Sequence, residues 1–198
     1  MSKVIAGIAM SIDGFVAGPN QNEQKPFGDM EEDLLHHWMF DEPEQHKAEL
    51  DELLAAGAHI MGRNMYGPAG ESYDKTWKGW WGDEPPYHAP VFVLTHRARE
   101  PIPMQGGTTF HFVTEGIHKA LELARQAAGD QPVAIAGGAD VINQYLAARL
   151  IDELWLHVAP VTVGRGARLF DNVPDLRMEP LSVSGTKLVT HIKYRILK

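Results

Sequence analysis

The sequence predicts an α/β protein built on a mixed sheet, mostly parallel, with antiparallel strands at its C-terminal end and helices flanking it. Three observations carry that prediction. Short apolar runs alternate with helix-like segments from residue 58 to residue 160, the pattern of strands joined by crossover helices. The N-terminal run Val4-Ile5-Ala6-Gly7-Ile8-Ala9-Met10 is apolar without alternation, as befits a strand buried on both faces. The tail then changes character, with 181–184 and 186–196 reading as paired strands around Gly185 that close the sheet with antiparallel neighbours.

Taken in order, the first run ends in the turn Asp13-Gly14, so its strand is expected in the middle of the sheet. The polar stretch 18–26 is rich in turn formers and has the length of a functional surface loop. Residues 29–40 and 44–56 read as two helices split by Pro43, the second with Leu50, Leu53 and Leu54 on one apolar face and Gly57 as its stop. A short strand at 58–61 enters a strand-to-helix turn at 62–67. The long irregular segment 68–90 carries Tyr73, Trp77, Trp80, Trp81 and Tyr87, and three of the five tryptophans in one loop suggest a wall or lid over a ligand. Strands follow at 91–94 and 110–113, then a helix at 116–128. The strand 133–136 runs into Gly137-Gly138 and a helix to about residue 148, and a strand covers 153–160. Residues 161–171 are rich in Gly and Arg. With no repeat, low-complexity tract or linker, one domain is expected over 1–198.

Composition narrows the function. Hydrophobic residues at 44% and charged residues at 22% are ordinary for a folded globular chain. A net charge of −8 without a polybasic run makes nucleic acid and anionic membranes poor partners. No run approaches the roughly 20 apolar residues of a membrane helix. The absence of cysteine excludes thiol nucleophiles, thiolate metal sites and disulfides, and a cytoplasmic location is expected.

The strongest chemical signal is Val133-Ala134-Ile135-Ala136-Gly137-Gly138-Ala139-Asp140-Val141-Ile142, a strand running through two glycines into a helix. Backbone N–H groups at such a helix start bind phosphate, and glycine lets the phosphate approach. Gly62-Arg63-Asn64-Met65 repeats that logic and adds a guanidinium, while Thr95-His96-Arg97 offers a hydroxyl, an imidazole and a second guanidinium at another strand end. Ligands of open α/β sheets sit at the carboxyl ends of strands, so three such ends point to a phosphate-bearing ligand. No G-x-G-x-x-G fingerprint occurs, so a dinucleotide needs a fold other than the Rossmann one. Ten histidines raise the question of a metal, but His36 and His37 are adjacent, H-E-x-x-H is absent, and no metal is expected. His157 reads as a core or pocket histidine of its strand, and no G-x-S-x-G elbow supports a hydrolase triad.

The order of Ile5-Ala6-Gly7-Ile8-Ala9, Ile60-Met61-Gly62-Arg63-Asn64-Met65-Tyr66, Val93-Leu94-Thr95 and Ala136-Gly137-Gly138-Ala139-Asp140-Val141-Ile142 resembles dihydrofolate reductase. Met10-Ser11-Ile12-Asp13-Gly14-Phe15-Val16-Ala17-Gly18, Leu150-Ile151-Asp152-Glu153-Leu154, Pro160-Val161 and Gly164-Arg165-Gly166-Ala167-Arg168-Leu169-Phe170 are similar to the reductase domain of the bifunctional riboflavin-biosynthesis enzymes and its stand-alone relatives. The resemblance spans nearly the whole chain and implies a dihydrofolate reductase-like fold that binds NADPH. By that resemblance Gly62, Arg63, Asn64 and Met65 meet the pyrophosphate and the adenosine 2′-phosphate, and Leu94, Thr95, His96 and Arg97 surround the adenosine end. Gly137 and Gly138 match a glycine pair joined by a cis peptide, Ala139, Asp140, Val141 and Ile142 complete the phosphate cradle, and Ala6, Gly7, Val16 and Ala17 flank the nicotinamide.

Where substrate binds, the chain departs from both patterns. Asp33 is the nearest match to the carboxylate that holds the pterin in dihydrofolate reductases, with Asp29, Glu31 and Glu32 as competitors, and Asp13 matches the Asp-Gly of the riboflavin reductases. The expected function is NADPH-dependent hydride transfer to a small pyrimidine, pteridine or ribose-derived substrate, with Asp13 or Asp33 orienting it and Trp77, Trp80, Trp81 or Tyr87 stacking on it. An NADPH-binding module without catalysis and a non-redox enzyme acting on a phosphate ligand stay open. A homodimer through Val158, Val161 and 164–170 is the expected assembly, again by resemblance.

Overall fold

Apolar residues at nearly every position from Val4 to Met10 leave that segment no solvent face, and the chain places it inside a sheet. In the computed structural model, which describes residues 2–31, 33–67 and 77–198, strand β1 (Val4–Ser11) lies between β7 (Val133–Gly137) and β8 (Glu153–Ala159) and runs parallel to both. Beyond β7 come β3 (Ala58–Gly62), β4 (Pro90–Leu94) and β6 (Thr109–Val113), all parallel, with the two-residue β5 (Ile102–Pro103) antiparallel at that edge. Beyond β8 come β11 (Thr190–Leu197) and β10 (Arg177–Gly185), both in antiparallel pairings. Among the described residues one sheet thus carries nine strands in the order β10-β11-β8-β1-β7-β3-β4-β6-β5, and a separate pair joins β2 (Phe15–Ala17) to β9 (Ala167–Arg168).

Side chains alternate across this sheet, so each strand feeds two layers. On one face Val4, Ala6, Ile60, Phe92, Ile135, Leu154 and Leu156 pack with α4 (Ile117–Ala128) and α5 (Ala139–Ala147). The buried stripe Ala120, Leu121, Ala124 and Ala128 explains why α4 docks there. The Tyr145 hydroxyl donates to the Ile117 carbonyl at 2.7 Å and ties the two helices together. On the other face Ile5, Ala134 and Trp155 meet Leu53, and Met61, Val91, Val93 and Phe110 meet Tyr66, Tyr87, Trp77 and Trp81.

Two expected helices come out shorter. The segment 29–40 is helical only in α1 (His37–Asp41); before it, Leu34 N–H bonds to Glu31 and His36 N–H to Asp33, turn-type bonds that replace a helical ladder. No side chain caps the start of α1, and Pro43 stops it soon after. The segment 44–56 narrows to α2 (Lys47–Leu54), and its predicted apolar face is not buried: no residue of α2 is fully buried and Leu54 is exposed. The turn at 62–67 contains one helical turn, α3 (Arg63–Tyr66). Pro68, Tyr73 and the rest of 68–76, together with Glu32, lie outside the described residues.

Candidate functional site

Because β8, β1, β7, β3, β4 and β6 are mutually parallel, their carboxyl ends share one edge, and the sequence has put its glycines and phosphate-type residues there. Register brings Met61 opposite Gly137 and Gly62 opposite Leu94. The Gly137–Gly138 peptide is cis, as the resemblance implied. A Cβ on Gly62 would press on Val141, and one on Gly137, at φ +133°, would meet the Met65 sulfur at 3.1 Å. Gly62, Met65, Gly137 and Val141 therefore form one close junction between the starts of α3 and α5.

Gly138 caps α5 without any side-chain bond, leaving the first N–H groups of that helix without an intrahelical partner. An added Cβ on Gly138 would meet nothing within 4 Å, so this helix start faces open space. Arg63 stands half-buried at the start of α3 with its guanidinium bonded to Asn64 Oδ1. Thr95 is buried, and its hydroxyl accepts from the Arg97 N–H at 3.2 Å, which turns the exposed His96-Arg97 pair away from β4. The donors expected at three strand ends are thus on one edge, in the order Gly137/Gly138, Gly62/Arg63, Leu94/Thr95.

The β1–β2 turn folds over the same edge. Asp13 Oδ1 accepts from the Ser11 hydroxyl at 2.6 Å and from Val163 N–H at 3.0 Å, and Oδ2 accepts from Gly164 N–H at 2.8 Å. These bonds, the Ser11 hydroxyl first, hold the carboxyl below the usual aspartate range. Both oxygens are engaged within the protein, so Asp13 anchors the 161–164 loop. Asp33 is exposed in the turn before α1 and lies near His36, whose Nδ1 is buried and has no hydrogen-bond partner among the described residues.

Beside this turn lies a cavity of about 220 Å³ lined by Gly18, Pro19, Asp29, Met30, Leu34 and Arg165 among others, with Thr162 and Val163 closing one side. Its lining residue Gly18 directly follows Ala17, the last residue of β2. Sequence reading did not group Met30 and Leu34 with Thr162 and Arg165, because a separation of about 130 residues in the chain gives no local signal. Val16 and Ala17 are buried next to it, and Ala6 is buried in β1. Gly7 has another use: a Cβ there would strike the Leu53 side chain, so the glycine lets α2 approach the sheet.

Among the described residues, the aromatics of 77–90 do not line this cavity. Trp77 Nε1 donates to the Tyr66 carbonyl at 2.8 Å while the Tyr66 hydroxyl donates to the Trp77 carbonyl at 2.9 Å, and Trp80 stands edge-on to Trp77. Trp81 packs on Tyr87 and Phe110, and Tyr87 on His59. Trp77, Trp81 and Tyr87 cover β3, β4 and β6, with β7 between them and the strand that leads to Asp13, and Trp80 leans on Trp77. They build the outer half of the sheet, and none of them lines the 220 Å³ cavity.

A predominantly parallel sheet with helix starts opened by glycine along one edge, and with a cis glycine pair between β7 and α5, defines the dihydrofolate reductase-like class of fold. The RibD C-terminal domain model matches residues 2–191, and the chain belongs to that family. Among solved structures, a Shewanella sp. PV-4 protein described as a riboflavin biosynthesis protein aligns over 100% of both chains at 22% identity and a TM-score of 0.65. Acinetobacter baumannii RibD aligns over 100% of this chain but 58% of its own, at 17% identity and a TM-score of 0.65. The Thermotoga maritima diaminohydroxyphosphoribosylaminopyrimidine deaminase/5-amino-6-(5-phosphoribosylamino)uracil reductase aligns over 99% of this chain and 57% of its own, at 15% identity and a TM-score of 0.59. The chain therefore spans less than three-fifths of those two larger enzymes. No curated protein matches the sequence. No helix among the described residues is long and apolar enough to cross a membrane.

Proposed function

We propose that this protein is an NADPH-dependent reductase of the riboflavin type, transferring hydride to a small pyrimidine, pteridine or ribose-derived substrate. The observation that carries the proposal is the uncapped start of α5, open in front of Gly138 and flanked by Gly62 and Arg63 on the neighbouring strand. That cradle fits a pyrophosphate: backbone donors face the space, no Cβ fills it, and a guanidinium stands alongside. Ala139, Asp140 and Val141 supply the amides, Arg63 the charge for a 2′-phosphate, and Leu94 to Arg97 the adenosine wall.

When bound, the cofactor supplies a hydride from its nicotinamide ring. The chain's own part is to position two reactants and exclude water, which accounts for most of the acceleration such a transfer needs. Val16 and Ala17 are buried in β2 immediately before the cavity-lining Gly18, and the Asp13 anchor fixes the 161–164 loop that closes the cavity. Arg165 lines the cavity within electrostatic reach of Asp29, so a phosphorylated substrate finds a cation there. Because Asp13 spends its oxygens on the loop, an NADPH-binding module without catalysis is the second reading.

Titrating the purified chain with NADPH while following nucleotide fluorescence tests the first step, and oxidation of bound NADPH in the presence of riboflavin-precursor, pteridine or ribose-derived carbonyl compounds tests the second. Saturable binding with oxidation supports the reductase. Binding without oxidation across all three classes favours the module, and absence of binding removes both in favour of a non-redox phosphate-ligand enzyme.

A further inference from the structure

Helix α2 is held against the sheet by few apolar contacts. No side chain of α2 is fully buried, and Leu53 alone of its residues joins an apolar cluster. What meets the sheet instead is polar. His46, at the N-cap of α2, is 2% exposed, and its Nδ1 stands 2.8 Å from Nε2 of His191 on β11, itself 2% exposed. Glu49, one turn along α2, brings a carboxylate oxygen so that the three ligand-type atoms lie within 4.8 Å of one another. Among the described residues this is the group of histidines and acids that converges in this way.

The outer nitrogens of the two imidazoles are already engaged. His46 Nε2 faces Glu42 Oε2 at 3.3 Å, and His191 Nδ1 faces His157 Nδ1 at 2.6 Å. A carboxylate accepts only, so the Glu42 contact puts the His46 proton on Nε2 and leaves Nδ1 a bare lone pair aimed at His191. Two imidazole nitrogens turned on each other need a hydrogen-bonding proton between them or a shared ion beside them. A proton on His191 Nε2 meets that need, and so does a metal ion. The 2.8 Å separation is that of a hydrogen bond, and the two nitrogens need part by only about half an ångström to share a tetrahedral ion with metal–nitrogen bonds of about 2.0–2.1 Å.

Three further features favour the metal. Glu42 behind His46 reproduces the outer carboxylate that orients metal-bound histidines. The Ser184 hydroxyl donates to Glu49 Oε1 at 3.2 Å and fixes that carboxylate from β10. Trp38 packs its indole on His46, His157 and His191 with ring centroids 4.9–5.2 Å apart, a dry wall that raises the worth of a charged bond behind it. We propose that His46, Glu49 and His191 form a binding site for a divalent transition-metal ion of the zinc kind, which staples α2 to β11. Two imidazoles and one carboxylate suit zinc and its late neighbours and disfavour magnesium and calcium, which take oxygen ligands.

The full-length chain, stripped with EDTA and titrated with Zn2+ against a chromogenic chelator, is expected to bind one ion per chain. Glu49→Gln, at a half-buried position on α2, keeps the shape of the side chain and is expected to weaken that binding at least tenfold with an unchanged circular dichroism spectrum, and His46→Gln to weaken it further. His118→Ala, on the exposed side of α4, is expected to leave it unchanged. In nitrogen-15 spectra Zn2+ moves the His191 proton from Nε2 to Nδ1. The proposal is overturned by absence of one-to-one binding at micromolar zinc, by wild-type affinity in Glu49→Gln, by loss of binding in His118→Ala, or by a His191 that keeps its Nε2 proton with zinc present.

Discussion

At the first residue after β3, Arg63 stands half-buried beside the junction of Gly62, Gly137 and Val141. A charge-assisted bond from it to a 2′-phosphate is worth about 1.5–3 kcal/mol. Arg63→Ala is therefore expected to weaken NADPH about 10- to 150-fold and leave NADH nearly unchanged, read by fluorescence titration of both nucleotides; equal losses for both would take Arg63 out of the role. Asp13 makes a different case. Asn in its place keeps the shape but loses the charge and one acceptor oxygen, so Asp13→Asn is expected to speed hydrogen exchange at the Val163 and Gly164 amides while NADPH affinity changes little. Unaltered exchange with lost turnover would instead make Asp13 a substrate-orienting acid.

Elements here are held by close backbone approaches as much as by apolar area. Gly166, at φ +130°, precedes β9, and a Cβ on it would land on the Ala17 carbonyl oxygen of β2. Gly166→Ala is expected to cost about 1–3 kcal/mol in urea unfolding and to part β2 from β9; a variant as stable as the parent would show that the loop yields without strain. In β3, burial pushes His59 down to about 4, and its Nε2 has no partner among the described residues. The unfolded chain binds that proton near 6.5 and the folded one does not, so stability is complete above about pH 6.5 and falls as pH drops toward 4. The loss for this group alone is on the order of 3 kcal/mol. Urea midpoints measured between pH 7.5 and 4.5 are expected to fall less steeply in His59→Gln than in the parent, and parallel curves would assign acid sensitivity to other groups.

Across the molecule, both edges of the sheet are blunted against strand addition. β5 has two residues and one is Pro103, while β10 carries Pro180 and a register shift before Ser182. Assembly by strand addition at an edge is disfavoured, although Leu181 and Val183 are exposed on β10, and two exposed apolar groups lie away from the edges: Ile12, whose N–H bonds to the Val161 carbonyl, and Phe170, which follows β9. They flank the 161–170 segment that resemblance to the riboflavin reductases marks for pairing. A homodimer through this surface is expected, giving about twice 22.0 kDa by light scattering at micromolar concentration. Ile12→Lys with Phe170→Lys is expected to return a single-chain mass; a parent already at that mass removes the dimer.

Local signals in the chain determined the strand ladder, the flanking helices α4 and α5, and the glycine-rich strand ends, because periodicity, turn residues and helix stops act over a few neighbours. The order of motifs also determined the family, since Gly62-Arg63 and Gly137-Gly138 keep their place along the chain. The pattern at 29–56 overstates helices α1 and α2, since it is helical in propensity while the turn bonds at 31–36 and Pro43 limit where helix forms. Only the tertiary structure decided what depends on distant pairs. Asp13 became a loop anchor through Val163 and Gly164, and the aromatic segment became the outer wall of the sheet. His46 met His191 across 145 residues, a juxtaposition that no spacing rule encodes, because α2 and β11 are brought side by side only in the folded sheet.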